Sequence, residues 1–263
     1  MERPLRGRAP TVPGVGRDIL ERCLTQAFDF SGQGGLDFRR KLLGRVTMPR
    51  RTQISVIVLF AQLLIEPALG QLVDNACGSL DNAYGPFDFT DSHDFKENLP
   101  VVEKFHYDAG VQQLRGHSGK PNPFAYLPHD IDYTLRAFPN HHPALYTMIR
   151  YHLEKVPQGA PPMRYTAACY LDRARRFAPN DPVVVMLEGI YLHKTGDLQE
   201  AVSRYELATK MAPNAAEAHY NAGLVHLDLG SNQLALEHAK RAYELGFPLP
   251  GLKKELTRLG LWD

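Results

Sequence analysis

The apolar residues between positions 182 and 247 follow the spacing of helices, and the whole pattern repeats after 34 residues. Small residues mark the same places in both copies. The matched pairs are Gly189 and Gly223, Gly196 and Gly230, Ala201 and Ala235, and Ala208 and Ala242. Gly189 and Ala208 fall where two antiparallel helices cross closely, and Gly196 falls in the turn, where glycine tolerates a positive φ. The pattern predicts two consecutive helical hairpins.

The first copy resembles the tetratricopeptide repeat, a two-helix unit of about 34 residues. The family's signature of small residues, an aromatic residue and a closing proline is matched by Gly189, Ala201, Tyr205, Ala208 and Pro213. The second copy departs from that signature at two places, with Ala239 at the aromatic position and Phe247 at the proline. The resemblance implies an all-α solenoid that presents a groove to another polypeptide.

A degenerate copy lies upstream. Ala167, Ala174 and Pro179 lie 34 residues before their counterparts in the first copy, while Ile149 occupies the usual small-residue site. We expect this copy to form two helices, joined by a turn that is longer and richer in proline than the family uses. The predicted helices of this copy are 143–154 and 165–177, and a closing helix at 130–138 precedes them. An end helix is predicted at 249–261, after the last copy.

The predicted fold class is therefore an all-α solenoid of about three hairpins, with an irregular N-terminal cap and a C-terminal capping helix. The cap is turn-rich, with an aromatic loop around Gly85 and one short helix expected over residues 101–114. The predicted domains are a non-native or disordered leader at 1–47, a signal peptide at 48–70, the cap at 71–129 and the repeat domain at 130–263.

Residues 48–70 have the three parts of a secretory signal: a positive start, an apolar centre and small residues before a cleavage point. We expect Met48 to be the true start and cleavage to fall near Gly70 and Gln71. The alternatives are a buried core helix or an uncleaved membrane anchor at 54–70, although Glu66 is costly in hydrocarbon. The expected location is the periplasm or the exterior, and with an uncleaved anchor the repeats would still lie outside the cytoplasm.

Two of the three cysteines remain once the leader is removed, and both would then lie in an oxidising compartment. An even pair in an exported protein indicates a disulfide, so we expect Cys77 to bridge to Cys169. The alternative is two unconnected thiols. The chain has no CxxC motif, so the sequence gives no support for thiol-exchange catalysis.

The net charge of +1 conceals an asymmetry along the chain. Residues 1–70 contain 11 Lys and Arg against 6 Asp and Glu, which leaves residues 71–263 with a net charge of −4. The latter part lacks the basic surface that neutralises phosphates, so nucleic-acid binding is not expected.

Seven of the eleven histidines lie between His93 and His152, which raises the alternative of a metal or small-molecule carrier built from segment 93–152. These histidines lack the spacing of ligands on one helix face, so structural or surface roles are favoured. His219 and His226 are two turns apart on one predicted helix, too far to share a metal within it, and we assign them to packing or to the groove. We expect no cofactor.

Catalytic motifs are also missing: the chain has no Gly-x-Ser-x-Gly elbow, metalloprotease helix or dinucleotide fingerprint. We therefore expect a protein that is not an enzyme, with an enzyme or an accessory subunit of one as the alternative. An enzyme would need polar groups that converge in a closed pocket.

In the resembled family, the first helix of each hairpin lines the groove that holds a peptide or a partner helix. Carried over to this chain, the groove-facing residues are Tyr146, Arg150, Met186, Ile190, His193, Lys194, Tyr220, Leu224 and Asp228. The set mixes apolar, aromatic and polar residues, which suits an amphipathic or extended apolar peptide. The sequence thus predicts an adaptor or scaffold in a bacterial cell envelope, which binds another protein and meets the membrane only through segment 54–70.

Overall fold

The computed structural model describes residues 77–154 and 161–262, and in them it contains eleven α-helices and no strand. The all-α fold class is confirmed. The predicted leader at 1–47 and the predicted signal peptide at 48–70 lie outside the described residues, as does most of the long turn after residue 154. Within the described ranges, no helix is long and apolar enough to cross a membrane.

The helices are numbered here in chain order. They are α1 Ser92–Glu97, α2 Leu99–His106, α3 Ala109–Gln112, α4 Pro123–Ala137, α5 His142–Leu153, α6 Ala167–Phe177, α7 Pro182–Thr195, α8 Leu198–Met211, α9 Ala216–Asp228, α10 Asn232–Glu244 and α11 Gly251–Arg258. The pairs α7 with α8 and α9 with α10 are the two hairpins predicted from the 34-residue period.

Each hairpin is closed by the glycine that the sequence places in its turn. Gly196 has a φ of +92° and Gly230 a φ of +72°, values that residues with a Cβ atom rarely adopt. In both turns a backbone amide then reaches back into the preceding helix, Asp197 N to Leu192 O at 2.9 Å and Ser231 N to His226 O at 2.8 Å. The two turns therefore end the first helices in the same way.

Small residues allow the paired helices to approach closely. A methyl group added at Gly189 would lie 2.7 Å from Cε1 of Tyr205, whose ring is almost fully buried. Ala201 and Ala208 have no exposed surface, and neither do their counterparts in the second hairpin. The repeated small residues are thus the contact surface within each hairpin.

The first helices also pack on one another. Helix α7 contacts α5 on one side and α9 on the other, and α11 covers α9 at the end of the row. Leu252 of α11 reaches Gly223, where an added methyl group would lie 2.6 Å from Leu252 Cδ2. Helix α11 therefore occupies the place that a further repeat would take.

Residues 77–122 pack against α4 and α5 through aromatic side chains. Leu99, Val102, Ala137 and Phe138 form a buried cluster, and partly buried rings surround it. Those rings belong to Tyr84, Phe87, Phe89, Phe95 and Tyr133. The amide of Phe87 also donates to the carbonyl of Ala137 at 2.8 Å. This segment covers apolar surface on α4 and α5 that would otherwise face water.

Two helix boundaries in this region differ from the sequence prediction. The single helix expected over residues 101–114 is broken into α2 and α3, because the Asp108 carboxylate accepts hydrogen bonds from Gly110 N and Val111 N and begins a new helix. The helix expected at 130–138 begins earlier, at Pro123, where Asn122 supplies the cap.

The sulfur atoms of Cys77 and Cys169 lie 2.12 Å apart and form a disulfide between residues 92 positions apart. Arg173, one turn after Cys169 on α6, donates from Nη1 to the carbonyls of Cys77 and Ser79 at 3.1 and 2.5 Å. The predicted pairing is thus present in the structure, and it joins the start of the cap to α6.

Candidate partner-binding surface

The nine residues assigned to the groove lie on α5, α7 and α9, but only some of them are accessible. Tyr146, Met186, Ile190 and Tyr220 are 1% to 8% exposed. Arg150, His193 and Leu224 are half-buried, and Lys194 and Asp228 are exposed. The accessible members therefore lie mainly toward the C-terminal ends of α7 and α9.

Tyr220 shows why one of the aromatic candidates is covered. Its ring stacks on Phe247 with centroids 4.2 Å apart, and its hydroxyl accepts a hydrogen bond from Leu252 N at 3.3 Å. Burial raises the pKa of Tyr220 to about 12. The C-terminal segment of the chain occupies the surface next to this tyrosine.

The C-terminal ends of α7 and α9 are joined by a polar contact. His193 Nε2 donates to Asp228 Oδ2 at 2.8 Å, with the Asp228 side chain 60% exposed and the His193 side chain 12% exposed. Lys194 follows His193, and Leu224 lies one turn before Asp228 on α9. These four residues form an accessible edge that spans two neighbouring repeats, and we call it the α7–α9 edge.

Arg150 lies at the other end of the row of first helices. Its guanidinium pairs with Glu154 at 2.6 Å and donates to the carbonyl of Gln112, in the cap, at 3.3 Å. Arg150 therefore connects the first repeat to the cap.

Glu217, in the first turn of α9, is a half-buried acid that the sequence analysis did not single out. Its Oε1 atom is buried without a hydrogen-bond partner, and burial raises the pKa of the carboxyl to about 8. Glu217 also helps to raise the pKa of the buried Tyr205 on α8, although burial of that phenol is the larger cause. A glutamate in the first turn of a helix usually serves the helix dipole, so its sequence position gave no sign of burial.

Two adjacent histidines at the start of α5 make buried contacts, His141 with the cap and His142 with the start of α7. His141 is fully buried, accepts from Ala144 N on Nδ1 at 3.0 Å and donates from Nε2 to Glu103 at 3.2 Å. Burial lowers the pKa of His141, against the opposing effect of Glu103. His142 donates to Asp181, the N-cap residue of helix α7, at 2.7 Å.

Asp130 is another strongly buried polar residue in this region. One carboxylate oxygen accepts from His106 Nδ1 at 2.9 Å and from Lys120, while the other oxygen has no partner. The His106 ring also stacks on Tyr133 with centroids 3.8 Å apart. Among residues 77–154 and 161–262, no group of three or more His, Cys, Asp or Glu side chains is arranged to hold a metal ion.

His219 and His226 are brought together by a third histidine, His238, that the sequence analysis did not connect with them. Nδ1 of His219 lies 3.1 Å from Nδ1 of His238, and the rings of His226 and His238 stack. The turn at Gly230 folds α10 back along α9 and places His238 beside His219. The sequence could have indicated this contact, because an antiparallel hairpin brings together residues at similar distances on the two sides of its turn. His219 and His238 lie about three and about two turns from Gly230.

The family comparison agrees with the geometry of the hairpins. Residues 186–246 match the family model of the tetratricopeptide repeat, a range that runs from the middle of α7 past the end of α10. No curated protein gives a significant match to the chain.

Proposed function

We propose that this chain, whose residues 186–246 match the tetratricopeptide repeat family, is a non-catalytic adaptor that holds a peptide or a partner helix against its first helices. Such repeats generally mediate protein–protein interaction. The partner is expected to run across α7 and α9, because these helices contribute accessible residues of mixed character side by side.

The observation that carries this proposal is the α7–α9 edge. His193 and Asp228 are paired across two repeats, so a ligand on this edge meets a fixed arrangement of one apolar, one cationic and one anionic group. Leu224 supplies the apolar contact, and Lys194 and Asp228 supply exposed charges of opposite sign. The edge suits an amphipathic segment with both charged and apolar side chains.

We further propose that the protein acts in a bacterial cell envelope, outside the cytoplasm. The disulfide supports this location, because such bonds persist in oxidising compartments and are rare in the cytosol. The signal-like pattern of residues 48–70 supports it independently. Mass spectrometry of the mature N-terminus should find it near Gln71, and mature protein recovered from the cytosol with residues 48–70 intact would contradict the location.

The binding proposal is tested by crosslinking from envelope extracts with the mature protein as bait. The bait variant Lys194→Glu/Asp228→Lys exchanges two exposed charges of the α7–α9 edge without changing net charge. Its matched control, Lys210→Glu/Glu244→Lys, makes the same exchange at exposed positions on the second helices α8 and α10. These sites are preferred to Tyr146, Met186 and Tyr220, whose burial means that substitution would disturb packing.

A specific partner should be captured by the unmodified protein and by the control, and lost with the edge variant. Equal capture by all three baits would remove the α7–α9 edge as the binding surface. A melting temperature within about 3 °C of the unmodified protein shows that the edge variant is folded, because surface exchanges cost little stability.

A further inference from the structure

Three histidines of the last hairpin form a cluster at the contact between α9 and α10. Nδ1 of His219 lies 3.1 Å from Nδ1 of His238. The ring of His226 stacks on that of His238, with centroids 5.5 Å apart and planes 14° from parallel. His226 is 4% exposed, and its Nδ1 atom is buried without a partner.

The contacts of His219 fix where the protons lie when the cluster is neutral. His219 Nε2 is 3.1 Å from the carbonyl oxygen of Pro213, which can only accept, so Nε2 carries the proton. Nδ1 of neutral His219 is then bare and accepts from Nδ1 of His238. The close contact between the two rings therefore contains a single proton.

The pair can accept one further proton but not two. If His219 is protonated, it becomes a donor at Nδ1, and His238 can accept by moving its own proton to Nε2. If both rings are protonated, two N–H groups face each other across 3.1 Å, and two positive charges lie beside the buried ring of His226. The second proton must therefore separate these two rings, one of which lies on α9 and the other on α10.

The charged groups around the cluster do not reverse this preference. Glu206 of α8 and Glu237 of α10 favour protonation, but burial outweighs them. The pKa of His226 is lowered by its burial, against Glu206. The pKa of His238 is lowered by its burial and then by His219 and His226, against both glutamates.

We propose that the cluster of His219, His226 and His238 is an acid-sensitive latch that keeps the α9–α10 hairpin closed at neutral pH and releases it on acidification. The sign follows from the direction of the shifts. In the unfolded chain His226 and His238 take up protons near pH 6.5, whereas in the folded hairpin their lowered pKa values resist protonation, so this stability is present above that pH and is lost as the pH falls below it. If the proposed function holds, release also loosens Leu224 and Asp228 on α9 and lets a bound partner go.

Amide hydrogen exchange on the mature protein, without any partner, tests the latch. Protection factors in α9 and α10, corrected for intrinsic exchange, should fall between about pH 7 and pH 5 by about tenfold per pH unit for each proton taken up on opening. Protection in α7 should fall less. Because no partner is present, this result is independent of whether the proposed binding function is right.

Two substitutions remove titration with little change of shape. His238→Asn places an amide donor near the position of Nδ1. His226→Leu fills the buried position with an apolar side chain that has no ionisable group. The double variant should lose most of the pH dependence in α9 and α10. His152→Gln, on α5, is the matched control and should keep the full dependence.

Full pH dependence in the double variant, or none in the unmodified hairpin, would overturn the latch. If the double variant is unfolded at neutral pH, His238→Asn alone is judged by the same criterion, because it preserves the hydrogen bond to His219 while removing one proton site.

Discussion

The cap and the hairpins of this protein are held together by different kinds of contact. Within the hairpins, small residues meet buried rings, as Gly189 meets Tyr205. Between the cap and the first repeat, buried polar groups make specific hydrogen bonds, as His141 does with Glu103. Small-residue contacts recur with the period of the sequence, whereas each polar contact occurs once. The first kind can therefore be seen in a single sequence, and the second cannot.

Three asparagines make this difference concrete, because each follows a proline at the end of a repeat unit. Asn180 and Asn214 are exposed. Asn140 is fully buried, accepts from Phe89 N at 3.0 Å, and donates to Asp88 at 2.8 Å and Asp181 at 3.3 Å. Contact with the cap turns a residue that elsewhere faces water into a buried hydrogen-bonding centre.

The largest expected effect comes from cutting the covalent link of the cap. Replacing Cys77 and Cys169 with serine should lower the free energy of unfolding by about 4 kcal/mol, because the link closes a long loop in the unfolded chain. Urea denaturation measures the loss, and reductant should reproduce it in the unmodified protein. Unchanged midpoints in both experiments would show that the link contributes nothing.

Removing the hydrogen bonds of Asn140 should have the next largest effect. Asn140→Ala leaves several buried polar partners unsatisfied and should cost about 3 kcal/mol. Asn180→Ala, at the equivalent exposed place, should change stability by less than about 0.5 kcal/mol. If the two variants lost equal free energy of unfolding, the contacts of Asn140 with the cap would contribute nothing to stability.

On the repeat side, the test is a methyl group added where helices cross. Gly189→Ala forces Cβ to 2.7 Å from the buried ring of Tyr205 and should cost about 2 kcal/mol despite the better helix propensity of alanine. Gly223→Ala meets the end of the Leu252 side chain, which is more flexible than the Tyr205 ring although it is buried, so its cost should be smaller, about 1 kcal/mol. A reversed order in thermal melts would contradict the packing described for α7 and α8.

Buried polar groups also occur on the repeat side, as His226 and the Oε1 atom of Glu217 show, and Glu217 provides the smallest expected effect. Its folded pKa of about 8 lies above the ordinary value of 4.5, so the folded state loses stability as the pH rises between these values. Glu217→Gln removes that loss, which is about 3 kcal/mol at pH 7, but it buries an amide that has no hydrogen-bond partner, so the net gain should be about 1 kcal/mol. Melting curves at about pH 5 and pH 8 should show the gain growing with pH, and a constant difference would assign it to something other than ionisation.

Much of the repeat region could be predicted because its physical rules are local. The turn glycines Gly196 and Gly230 have the positive φ values expected of them, and Ala208 and Ala242 are fully buried. The family match at 186–246 covers the same two hairpins. That the predicted groove residues contact a partner stays a prediction. The repeat pattern did not show which of these residues are buried by other parts of the chain.

The features that were not predicted have one local cause and several causes in distant parts of the chain. Helix α2 ends before Asp108 because that side chain caps α3, whereas the apolar spacing alone suggested one continuous helix. Tyr220 is covered by Phe247 and Leu252, which lie beyond the last matched repeat position. The histidine cluster was not predicted because its third member, His238, lies on the neighbouring helix α10.

The disulfide also sets where mechanical load enters the protein. A pull on the chain that precedes Cys77 is carried through the sulfur atoms to Cys169 and into α6, so residues 78–168 are bypassed. The aromatic cap and its polar contacts would then feel no tension from an upstream tether. Pulling on the reduced protein would instead draw the cap away from the first repeat before the hairpins yield.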